Sequence, residues 1–160
     1  MKKLSKDIIS CLERQRIAII STLDAKKRIH CSVKGIVGID EAGKVYVIDL
    51  YCRNTFKNLK DDPTISVTVV DEARFEGYTL KGKAKIVERD KIEDHIMKGW
   101  ETKVIERISS RVIKNIQVSR KTHHHPESRL PQPRYLIAIE VEDIVDLTPT
   151  HLKPPAFNKK

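Results

Sequence analysis

The stretch Ile17 to Tyr51, "IAIISTLDAKKRIHCSVKGIVGIDEAGKVYVIDLY", decides the fold. Ile17–Leu23 is β-branched and nearly continuous in apolar character, and the polar turn "DAKKR" sends the chain back through Ile29–Ile39. "DEAG" then supplies a second turn, with Gly43 where a positive φ is easiest. In Lys44–Tyr51 the residues Val45, Val47 and Asp49 alternate with Tyr46, Ile48 and Leu50, the period of a strand with two different faces. Three antiparallel strands follow from these patterns.

Downstream, "TISVTVVD" (Thr64–Asp71) and "EGYTLKGKAKIVE" (Glu76–Glu88) continue the β pattern, and "YLIAIEVEDIVDLTP" (Tyr135–Pro149) supplies a last strand. Short turns joining so many strands predict closure of the sheet. The fold class is mainly β (α+β), a six-stranded antiparallel barrel with flanking helices. "SKDIISCLER" predicts a short first helix, capped by Ser5, with Asp7 at its positive end and Ile8, Ile9 and Leu12 on one face. After strand five the period becomes helical. Ile92, Ile96, Trp100, Val104, Ile108, Val112 and Ile116 recur every four residues, Met97, Ile105 and Ile113 widen the stripe, and Asp90 is the expected cap. This long helix is expected to pack on the barrel or on a partner subunit. Residues 1–150 form one domain in this reading, and 151–160 a tail expected to be mobile unless Phe157 docks.

Three cysteines, Cys11, Cys31 and Cys52, lack any CxxC spacing and are expected to be free thiols. No run approaches the roughly 18 apolar residues of a membrane span, and the first fifteen residues lack a signal-peptide core, so a cytoplasmic protein with no membrane partner is expected. The formal net charge is +9. Residues 1–60 hold 13 Lys/Arg against 6 Asp/Glu, a net +7, so the excess lies in the amino-terminal part.

That part contains "YCRNTFKNLKDDP", Tyr51–Pro63, a basic connection leading into a short helix over "TFKNLK" that Asp-Asp-Pro ends. Arg53, Asn54, Thr55 and Lys57 offer a guanidinium, an amide, a hydroxyl and an ammonium beside the free amides of a helix start, a donor set suited to a phosphate dianion. The competing reading is a solvated surface helix.

From Ile8 to about Glu88, and again in "RYLIAIEVEDIVDLTP", the chain resembles the pyridoxamine 5'-phosphate oxidase-like, FMN-binding split-barrel family. The resemblance rests on the succession of a strand with small and polar residues, an acidic-glycine turn, a strand, the basic loop ending "KNLKDDP", and "TISVTVVD". It implies an FMN phosphate on the basic loop and a flavin ring against backbone in a cleft between two subunits of a homodimer. By position, Lys34, Gly35 and Ile36 lie on the strand lining ring and phosphate, Val47 and Ile48 on the next, and Arg53, Asn54, Thr55 and Lys57 around the phosphate. Lys34 and Lys57 are the leading candidates, and Lys34 is a candidate donor to the reduced ring.

Two departures qualify what the resemblance implies. Relatives commonly carry serine or threonine followed by Arg-Lys where this chain has Cys52, Arg53, Asn54 and Thr55, so the flavin's identity is open, and deazaflavin (F420) and haem binders use the same barrel. Pyridoxamine phosphate oxidases also carry a basic arginine and histidine segment near the carboxyl terminus, absent from "ESRLPQPRYLIAIEVEDIVDLTP"; vitamin B6 synthesis is therefore not the expected activity. The implied activity is an FMN-dependent oxidoreduction between a small-molecule electron donor and an acceptor. A flavin or haem carrier without turnover is the alternative.

Other candidates are weaker. The "THHHP" histidines, His123 to His125, alternate in direction in an extended loop and lack nearby cysteine, so a structural loop is preferred to a metal site, with a lid or proton donor over the flavin as the other use. His30 and Ser32 share a face opposite Cys31, against a Cys-His pair. Asp49 and Asp71 are strand-end acids with no base at readable spacing, and Trp100 belongs to the helical stripe. No catalytic side chain and no metal ligand set is assigned. A basic barrel binding single-stranded nucleic acid is disfavoured by an aromatic content of 5%.

Overall fold

The fold is that of a computed structural model whose described residues are 1–15, 17–51, 53–92, 94–117 and 133–153. In chain order the elements are α1 (Lys6–Arg14), β1 (Ala18–Leu23), β2 (Ile29–Asp40), β3 (Lys44–Asp49), α2 (Asn54–Asp61), β4 (Thr64–Asp71), β5 (Glu76–Glu88), α3 (Asp94–Gln117) and β6 (Tyr135–Asp146). The six strands close in the order β1-β2-β3-β6-β5-β4, every neighbouring pair antiparallel. The barrel expected from the alternation is present.

Strand alternation builds its core: Ile20, Val45, Val47, Val67, Leu80, Ile137, Ile139 and Val141 are all fully buried. Two helices add to this core. Ser5 caps α1, its hydroxyl accepting the Ile8 N–H at 3.4 Å, and α1 buries Ile8, Cys11 and Leu12. It sits where β4 runs into β5, held by Arg14 to Asp71 at 3.1 Å and to Glu76 at 2.5 Å. α2 sits where β1 turns into β2, burying Thr55, Asn58 and Leu59. The β2–β3 turn needs its glycine: Gly43 has φ +101, and any Cβ there would run into the Lys2 carbonyl.

The long helix α3 packs outside the barrel, where Ile92, Ile96 and Trp100 cover Val37, Ile48 and Leu136. Asp90 is not its cap. A short 3₁₀ turn over Arg89–Lys91 is followed by Ile92 in extended conformation, so the α-helix starts at Asp94. Ile105 does not widen the buried stripe either, being 63% exposed, whereas Val104, one position earlier, packs against the cluster. His123 to His125, Cys52 and Phe157 lie outside the described residues. No described helix is long and apolar enough to cross a membrane.

Candidate functional site

The chain leaves β3 at Asp49 and enters α2 within a few residues, so the end of β3 fixes where α2 begins. Pro63 disfavours helix at Asp62, whose backbone N–H closes α2 on the Asn58 carbonyl. The Asp62 carboxylate accepts from Lys27 Nζ at 2.7 Å and from the Thr64 N–H at 2.9 Å. The Lys27 bond, then those from Thr64, hold that carboxyl far below the usual range. The buried side of α2 is polar but satisfied. Thr55 Oγ1 lies 3.0 Å from Ser32 Oγ, and Asn58 Nδ2 donates to Thr22 Oγ1 at 3.0 Å. Two β strands and the helix are thereby tied together, through one part-buried and one buried hydrogen bond.

The outer side of α2 faces the β1–β2 turn across a cavity of about 580 Å³. Its polar lining comprises Lys26, Arg28, His30, Asn54, Lys57 and Asn58 together with the acids Asp24 and Asp61. The turn is pre-set by Asp24, which accepts the backbone N–H of Lys26 at 2.8 Å and of Arg28 at 2.9 Å, and the Arg28 Nε at 2.8 Å. The Arg28 backbone and side-chain bonds lower the Asp24 pKa, keeping it the charged partner that aims the guanidinium. An anion in this cavity would meet cations from two separate elements, and the size suits a nucleotide-sized ligand.

At the end of β3 lies a buried ionic group. Asp49, fully buried, accepts from Lys34 Nζ at 2.8 Å and from Tyr135 Oη at 2.6 Å, and its other oxygen takes the Tyr51 N–H at 3.1 Å. The Tyr135 ring in turn lies 4.6 Å from the Phe56 ring of α2. Burial alone would raise the Asp49 pKa; the bonds from Lys34, Tyr135 and Tyr51 outweigh it and bring the net value below the ordinary one. One carboxylate thus ties β2, β6 and the loop into α2 to the end of β3.

These positions distinguish among the residues expected from the sequence. Asn54 and Lys57 line the cavity. Arg53 lies instead over the Tyr51 ring, at 5.7 Å, and the Thr55 hydroxyl is spent on Ser32 in a residue 2% exposed. Lys34 points into the barrel because it pairs with Ala18, a buried residue, and its ammonium belongs to Asp49. Ile36 and Val47 are in the barrel core and Ile48 lies beneath α3, so their side chains face away from solvent. Gly35 pairs with Ile48 beside them. Asp49 and Asp71, which have no base at readable spacing, find Lys34 and Arg14 in three dimensions. Arg28 and His30 were not picked out from the sequence as cavity residues; the signal was available in an Asp24-to-Arg28 turn followed by inward-pointing polar residues. Among the described residues no cluster of His, Cys, Asp or Glu could hold a metal ion.

A family model described as pyridoxamine 5'-phosphate oxidase matches residues 4–147. HupZ from Group A Streptococcus is 19% identical, with a TM-score of 0.61 over 91% of this chain and 94% of its own. An F420 reductase gives a TM-score of 0.60 at 13% identity, covering 89% and 98% of the two chains. A Clostridium acetobutylicum protein related to general stress protein 26, of the pyridoxinephosphate oxidase family, gives 0.53 at 12% identity over 92% and 95%. At these identities the likeness to solved structures is one of fold. No curated protein matches the chain.

Proposed function

The chain belongs to the pyridoxamine 5'-phosphate oxidase family, and from that premise we propose that it is an FMN-binding flavoprotein, an oxidoreductase acting on a small molecule other than pyridoxamine phosphate. The observation that carries this reading is the cavity between α2 and the β1–β2 turn, where Asn54 and Lys57 face Arg28 and His30. That donor set fits a phosphate monoester. In this reading Lys57 and Arg28 neutralise the phosphate and Asn54 hydrogen-bonds it, while backbone amides at the start of α2 add to the field. Arg28 partly makes good the charge lost where Asn54 follows Arg53.

When bound, the flavin supplies the hydride chemistry, and the polypeptide supplies position and electrostatics. Lys34 acts here through Asp49, as a positioning group for the Tyr51–Arg53 loop, because taking its ammonium to the ring would strand a buried carboxylate. The outer face of β2, with Gly35 among its residues, is the surface on which the ring would lie. A single small barrel covers one side of such a ring, so the working unit is a homodimer with two equivalent sites, consisting in each subunit of one domain over residues 1–150.

The test is an absorbance spectrum of the purified, untagged protein, with mass spectrometry of any small molecule released by acid. Flavin bands and an FMN mass are expected. A Soret band or a deazaflavin mass would replace FMN with haem or F420 on the same barrel. Lys57→Ala is expected to weaken FMN binding by about 1 to 3 kcal/mol, the worth of a charge-assisted phosphate contact. Unchanged affinity, measured by flavin fluorescence quenching, would remove α2 from the phosphate site.

A further inference from the structure

We propose that a second cavity, between α1, the β4–β5 turn and the chain leaving β6, is a binding site for a free α-amino acid, held by both its ammonium and its carboxylate.

The cavity measures about 570 Å³, within the range of small-molecule sites. It lies at the end of the barrel away from the phosphate cavity. β4 pairs Ile65 with Thr22, next to the β1–β2 turn, and runs its whole length before Asp71 pairs with Glu76 beside the second cavity. Three separate elements wall this space, so a ligand in it would brace α1 against β5 and against the 3₁₀ turn over Thr150–Leu152.

The charges in the wall balance in number but are not all paired. Arg14 is taken by Glu76 at 2.5 Å and by Asp71, and Lys153 by Asp146 at 2.7 Å. Arg74 and Asp7 line the same cavity and make no ion pair among the described residues. Glu72, on the same turn as Arg74, lines the neighbouring groove with Val70 and Phe75 instead. One cation from the β4–β5 turn and one anion from α1 are therefore left over. A simple anion would satisfy Arg74 but meet three carboxylates, and a simple cation would satisfy Asp7 but meet Arg14, Arg74 and Lys153. A ligand that carries both charges compensates both residues.

Hydroxyl groups complete the set. Thr148 Oγ1 is buried without a hydrogen-bond partner, because the Asp146 carboxylate beside it accepts from the Thr148 N–H at 2.8 Å and from Lys153. A buried hydroxyl in that condition calls for a partner. The half-buried Tyr78 makes no hydrogen bond through its hydroxyl among the described residues. Burial, then the Asp146 and Glu76 carboxylates, push its pKa up, so the phenol keeps its proton and is a donor. In the proposed site Arg74 and the Thr148 and Tyr78 hydroxyls hold the carboxylate, while Asp7 takes the ammonium with Ser10 Oγ, which Arg14 already orients at 2.8 Å. Leu152 is the one aliphatic side chain in the lining, so small and polar amino acids fit better than large apolar ones.

The test is isothermal titration of the full chain with glycine, L-serine and L-glutamine, each beside its N-acetyl and its amide form. At least one free amino acid is expected to bind with a dissociation constant at or below about 1 mM, and both of its blocked forms at least about tenfold more weakly. Arg74→Met and Asp7→Asn should each weaken binding about tenfold, and Glu72→Gln, outside the cavity, should leave it unchanged. Thermal unfolding without ligand checks that each variant folds. No binding of any of the three by about 10 mM would overturn the site. So would an N-acetyl form that binds as well as the free amino acid, which would reduce the cavity to an anion site, or binding indifferent to Arg74→Met and Asp7→Asn.

Discussion

Asp49→Ala is expected to lower the unfolding free energy by about 3 to 5 kcal/mol, the usual cost of breaking a buried ion pair by removing one partner. The substitution leaves the Lys34 ammonium, on a side chain only 12% exposed, without its carboxylate and takes away the acceptor of the Tyr135 hydroxyl. It also releases the Tyr51 N–H, so the loop into α2 loses its anchor. Replacing both charges, with Lys34→Met and Asp49→Leu together, should recover most of the loss, because neither charge then needs a partner. Urea unfolding at unchanged m-value measures both changes. A loss under 1 kcal/mol for the single variant would mean that water reaches Lys34.

The same carboxylate sets a pH dependence. Its folded pKa is lowered, so the native state binds fewer protons than the unfolded chain in the carboxylate range. The stabilisation is complete above the unfolded value of about 4 and is lost as the pH falls through the folded one. In Lys34→Met burial is no longer opposed by an ammonium, and acid unfolding should begin at higher pH.

Gly82→Ala is the second large effect, expected to cost about 3 kcal/mol or more, at the upper end of overpacking. Gly82 lies in β5, paired with Ile65 of β4 on one side and Val141 of β6 on the other, where the β5–β6 register shifts. A Cβ there would collide with the Glu140 carbonyl oxygen and sit 3.2 Å from the Val141 Cα. Both obstacles are backbone, so no rotamer change relieves them, and β6 would have to move off the strand with which it forms its longest ladder. Gly99→Ala is the contrasting case. Its Cβ would stand 3.8 Å from the Val37 carbonyl, an ordinary contact, and the gain in helix propensity should stabilise α3 by about 0.5 to 1 kcal/mol. Melting temperatures of the two variants should move in opposite directions.

The barrel was legible because strand alternation and turn chemistry are local. Gly43 sits in a turn that any reading of "DEAG" places, and the alternating Val45, Val47 and Asp49 point inward together. The start of α3 was less legible, since Asp90 is a good cap by type, and only the 3₁₀ turn with Ile92 extended after it moves the helix start on to Asp94. The site was half legible. Asn54 and Lys57 announce themselves in a basic helix, but Arg28 and His30 come from the β1–β2 turn and the start of β2, which only strand pairing brings opposite. Asp49 shows the same limit: its partner Tyr135 is 86 positions away, and no local pattern links an acid at one strand end to a tyrosine at the start of the last strand.

The central claim, that the cavity between α2 and the β1–β2 turn takes the phosphate of a flavin, is tested most directly by titrating the flavin-free protein with FMN and with riboflavin, which differ in that phosphate alone. Saturable FMN binding at one site per chain, with riboflavin at least tenfold weaker and the difference shrinking in Lys57→Ala and Arg28→Ala, is the predicted result. Equal affinity for the two flavins, or no uptake of either, would contradict it.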